Sequence, residues 1–75
     1  MFDADSYDDV VTEIVDAAWD RGYKIVFAGH PAGWEAIYMR RDAHARVASP
    51  ASEFAPTRTE AAKRALAAIH ARAAA

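Results

Sequence analysis

Cysteine is absent from the 75-residue chain, which excludes a disulfide framework, a thiolate zinc site and a cysteine nucleophile. Glycine and proline are scarce, at three each, and no stretch reads as a linker between domains. No run approaches the ~18 apolar residues of a membrane-spanning helix. Basic residues are missing from the first twenty positions, which hold seven acids. The segment from Met1 to Asp9 carries four aspartates and no base, unlike the positively charged start of a signal peptide. The expectation is a single soluble domain over residues 1–75, in the cytoplasm of a bacterial host cell.

Apolar residues make up 53% of the chain, which argues against intrinsic disorder. Alanine inflates that figure, with 20 of the 75 residues. It buries little area, so the core is expected from nineteen larger side chains running from Phe2 to Ile69. Charge is strongly segregated. Residues 1–20 carry −7, and residues 21–75 carry nine bases and four acids, or +5. Two readings stand: the acidic end pairs with the basic remainder of its own chain, or it docks on a basic surface elsewhere.

Ser6 is a plausible N-cap, with Asp8 and Asp9 in the first turn where negative charge is favoured. Tyr7, Val10, Val11, Ile14, Val15 and Ala18 follow the spacing of one helical face. The pattern predicts a helix over residues 6–20, with Gly22 as its stop. Asp9, Glu13, Asp16 and Asp20 then fall together on the opposite side as an acidic stripe. Residues 23–28 (YKIVFA) and 34–40 (WEAIYMR) read as an antiparallel hairpin. Residues 29–33 (GHPAG) form the punctuation between them. Residues 43–48 (AHARVA) read as a weak third strand, and 49–56 as a loop with Phe54 anchored in the core.

Thr57-Arg-Thr-Glu60 matches a capping box. The alanine-rich sequence behind it predicts a helix over residues 58–73. Ala62, Ala65, Leu66 and Ile69 would face the sheet, while Arg58, Lys63, Arg64 and Arg72 stay wet. The fold class is therefore α+β: an α-β-β-β-α two-layer sandwich with both helices on one face of a three-stranded antiparallel sheet. The other face is expected to be open. It would hold Trp34 and Tyr38, or Ile37 and Met39, depending on the length of the turn. Trp34 and Tyr38 are the candidate partner or dimer surface.

No constellation suggests catalysis, metal or cofactor. His30, His44 and His70 share no ligand spacing, and the glycine-flanked turn leads to a strand rather than a helix, unlike a phosphate loop. The α-β-β-β-α order, with Arg58, Lys63 and Arg64 in the second helix, resembles the double-stranded-RNA-binding domain. That resemblance implies phosphate contacts from these three residues. Gly33-Trp-Glu-Ala36 followed by Thr-Arg-Thr-Glu-Ala resembles short accessory proteins of phages and high-GC bacteria, and toxin-neutralising antitoxins of the HicB type. It implies protein binding. The expected function is a non-catalytic protein-binding module, such as a phage or mobile-element inhibitor of a host defence complex like CRISPR. Its acidic stripe would meet a partner with a basic surface. A double-stranded-RNA binder and a homodimeric antitoxin-like module are the alternatives.

Overall fold

A computed structural model describes residues 9–42 and 50–74. Its elements run α1 (Asp9–Asp20), β1 (Tyr23–His30), β2 (Gly33–Arg40), β3 (Ala51–Ala55) and α2 (Arg58–Ala74). The strands form one antiparallel sheet in the order β1-β2-β3. Both helices pack against its same side, α1 mainly over β1 and α2 over β2 and β3. The fold class is as expected, and the order is compatible with the fold that the RNA-binding-domain resemblance implies. Among the described residues, no helix is long and apolar enough to cross a membrane. The proposed Ser6 cap and the proposed strand at 43–48 lie outside the described residues.

Local chemistry explains the helix boundaries. In α1, Val11, Ile14 and Ala18 share one face and are buried. The helix ends where Gly22, at φ +88°, donates its N–H to the Trp19 carbonyl at 2.9 Å. That left-handed conformation suits glycine. In α2, Thr57 Oγ1 accepts the Glu60 N–H at 3.1 Å, satisfying a backbone donor that the first turn leaves open.

The third strand lies elsewhere than expected. Residues 51–55, read from sequence as loop, pair with β2 from Tyr38↔Ala51 to Trp34↔Ala55. Pro50 and Pro56 flank the strand, outside its ladder, where a missing N–H costs no sheet hydrogen bond. Ala51, Glu53 and Ala55 turn towards the helices, and Ser52 and Phe54 turn away. Phe54 is consequently 45% exposed rather than a core anchor.

The hairpin turn is also tighter than the five-residue punctuation suggested. Only Pro31 and Ala32 separate the paired His30 and Gly33. Proline holds φ near −65°, so the first corner cannot take the positive φ of the usual two-residue hairpin turns. Gly33 follows at φ +155°. A Cβ there would sit 2.4 Å from the Ala55 carbonyl oxygen, so glycine is also what lets β3 approach.

The register decides which side of the sheet is buried. Ile25, Ala36 and Tyr38 are buried beneath the helices, with Tyr23, Phe27 and Trp34 partly buried around them. Contrary to the expectation of a core built from large side chains, six of the eleven buried apolar residues among those described are alanines. Ala61, Ala62 and Ala65 of α2 are fully buried, as is Ile69. Alanine adds little area per residue, but it lets backbones come close and gain dispersion contacts.

The two positive-φ glycines should therefore differ on substitution. Nothing lies within 4 Å of a Cβ at Gly22, so Gly22→Ala costs only backbone conformation, about 1–2 kcal/mol. Gly33→Ala adds a collision with β3 and should cost about 2–3 kcal/mol or more. Urea denaturation of the two variants measures both, and equal losses would contradict the close approach at Ala55.

Candidate functional site

The acidic stripe forms as the periodicity implies. At 3.6 residues per turn, Asp9, Glu13, Asp16 and Asp20 fall within an arc of about 60° and span about 16 Å of axis. They lie opposite Val11, Ile14 and Ala18, and all four are exposed. Two large apolar side chains flank them. Trp19, 52% exposed, lies on one side of the arc and Val10, 44% exposed, on the other. Among the described residues, no ion pair within 4 Å reaches any of the four carboxylates.

Five of the six described arginines are engaged elsewhere. The Arg41 guanidinium lies 5.1 Å from the Trp19 ring centroid, and its Nη1 donates to the Trp19 carbonyl at 2.9 Å. Arg58 stacks on Trp34 at 4.4 Å, and Arg72 on Tyr38 at 5.5 Å. Arg64 Nη1 donates to the Phe54 carbonyl at 2.8 Å. Arg40 Nε meets Asp42 Oδ1 at 3.4 Å. These cations pair with rings, carbonyls and a local aspartate, and among the described residues none forms an ion pair with the four carboxylates.

This disposition also separates the three residues that the RNA-binding resemblance groups together. Arg58 is half-buried against Trp34, whereas Lys63 and Arg64 are exposed. Counted round the α2 axis, Lys63 and Arg64 lie about 140° and 240° from Arg58. They do not share one face.

Trp34 and Tyr38 point under the helices, not onto the open face. Tyr38 is 3% exposed, and its hydroxyl donates to Glu53 Oε2 at 3.3 Å. The Trp34 ring covers Gly29, whose Cβ position would lie 3.6 Å from it. The other side of the sheet therefore presents Val26, Ile37, Met39 and Phe54. A polar group accompanies them. His30 Nε2 lies 3.0 Å from Glu35 Oε1, Ser52 hydrogen-bonds the same carboxylate, and the His30 and Phe54 rings are 5.9 Å apart. This group escapes the sequence reading because His30 looks like turn and Ser52 and Phe54 look like loop. The signal available was the Pro-bracketed spacing of 51–55.

His70 is exposed on α2, and His44 lies outside the described residues. Among the described residues, no three His, Asp or Glu side chains converge as metal ligands. No family model matches the chain, and neither curated proteins nor solved structures give a significant match.

The Glu35 carboxyl is held below the ordinary carboxylate range by the Ser52 hydrogen bond first, then by His30. Arg40 lowers that of Asp42. A depressed carboxyl stabilises the fold above its unfolded value, about 4.3 for Glu. That stabilisation is lost as pH falls through the folded value. The stability gap between the wild type and Glu35→Gln should therefore be present at pH 7 and shrink below about pH 4.3. Thermal melts across pH 3–7 measure it, and a gap constant over that range would contradict the assignment.

Proposed function

We propose that the chain is a small non-catalytic protein-binding module whose α1 docks on a basic surface of another protein. One observation carries this reading: four exposed carboxylates without an ion pair among the described residues, flanked by exposed Trp19 and Val10. Charge arranged along a convex helix speeds encounter and sets specificity more than it adds affinity. Affinity at such surfaces concentrates in buried aromatic anchors. Trp19 has both exposure and a fixed neighbour, since Arg41 lies over its ring and bonds its backbone.

The specific form of the proposal is a phage or mobile-element inhibitor of a host defence complex, entering a Lys/Arg channel that otherwise holds nucleic acid. A stripe about 16 Å long on a narrow helix suits a channel better than a flat surface. The runner-up is a double-stranded-RNA binder, which the element order favours. The engagement of Arg58 with Trp34 and of Arg64 with Phe54 weighs against it.

Reversal of Asp9, Glu13, Asp16 and Asp20 to Lys should leave the circular dichroism spectrum unchanged and abolish capture of the partner from nuclease-treated bacterial lysate. Trp19→Ala should weaken the complex by about 2 kcal/mol, chiefly through faster dissociation. Capture that survives the reversal, or that disappears with nuclease treatment alone, would reject this mode of binding.

A further inference from the structure

Resting on the docking of α1 put forward above, we propose that the partner surface is not basic throughout. Beside its cationic row it carries a carboxylate, which is received by Arg41 where that residue lies over Trp19. Three contacts hold Arg41 in place. Its backbone N–H donates to the Gly22 carbonyl at 2.9 Å. Its Nη1 donates to the Trp19 carbonyl at 2.9 Å, in the last turn of α1, where the helix dipole favours a cation. Its guanidinium carbon lies 5.1 Å from the Trp19 ring centroid. Both side chains are nevertheless exposed. Stacking occupies one flat side of the guanidinium, and one N–H goes to the carbonyl. The other donors lie at its edge, in the planar fork that matches a carboxylate.

Charge changes sign at this end of the helix. The acidic stripe stops at Asp20, and Arg21 and Arg41 stand exposed beyond it. Trp19 lies about 100° round the axis from Asp20, so its side chain leaves α1 about 8 Å to the side of the stripe. When Trp19 enters a partner surface, the Arg41 guanidinium enters with it and its edge loses water. A surface of lysines and arginines alone would set like charge against Arg41 and leave its donors without acceptors, and both are unfavourable. A carboxylate beside the basic row removes both penalties, and the same requirement discriminates against surfaces that are basic throughout. An extended polyanion fits this end less well. The phosphates of a nucleic acid strand would run on past Asp16 and Asp20, whose exposed carboxylates repel them.

Titration of the full chain with synthetic peptides, followed at the Trp19 indole N–H resonance, tests the proposal. One peptide carries a row of lysines. The others carry the same row with one glutamate, moved from one end to the other. Glutamate at one end of the row should tighten binding by about tenfold over the all-lysine peptide. Arg41→Gln keeps an N–H for the Trp19 carbonyl, so it should leave the circular dichroism spectrum unchanged and abolish that preference. Arg41→Glu should make the all-lysine peptide the tighter ligand. Equal binding of all the peptides, lost on reversal of the four α1 carboxylates, would overturn the carboxylate requirement and leave the docking of α1 standing. Peptide binding that is absent, or indifferent to that reversal, would overturn both. An oligothymidylate that binds the wild type and not Arg41→Gln would assign this end to phosphate and likewise overturn the proposal.

Discussion

Everything in this fold depends on the close seat of α2 against the sheet. Ala61, Ala62, Ala65 and Ile69 are completely buried against an inner layer that includes Ala36, Tyr38 and Ala55. Larger residues at the alanine positions would push the helix outward, because interiors at crystal-like density absorb extra methylenes poorly. With α2 held this close, α1 fits beside it over β1, and one side of the sheet is fully occupied. Both the outer sheet face, on which no described residue from either helix packs, and the outward carboxylates of α1 follow from that single-sided packing.

The same packing governs the electrostatics. Arg58 and Arg72 of α2 lie over the Trp34 and Tyr38 rings, at the margins of the helix-covered layer. Stacking on aromatic faces is favourable for a weakly hydrated guanidinium. Neither cation forms an ion pair with the acidic stripe. The chain can therefore be close to neutral in total and still present a strongly negative helix. The sequence total of −2 hides this segregation.

Much of the architecture was legible in the residues. The apolar spacing in α1, the Thr57 cap with alanine behind it, and the β-branched run of β1 each carry a direct physical signal. Two features were not legible. The third strand is built from Ala51, Ser52, Glu53, Phe54 and Ala55, and small or polar residues on the inner side erase the usual alternation. The choice of sheet face turned on whether two or five residues made the hairpin turn. Gly29 looked like part of that turn because glycine is a poor strand former. In the fold it pairs with Trp34, whose ring covers it. The site reading divided along the same line. The acidic stripe needed only helical periodicity, whereas Trp34 and Tyr38 needed the register and came out on the covered face.

The one-sided packing of the sheet is tested most directly by nuclear Overhauser contacts in solution. The account predicts cross-peaks from the Tyr38 ring to α2 methyl groups, and none from Val26 or Phe54 side chains to either helix. Cross-peaks between Val26 or Phe54 and residues of α1 or α2 within one chain would contradict it.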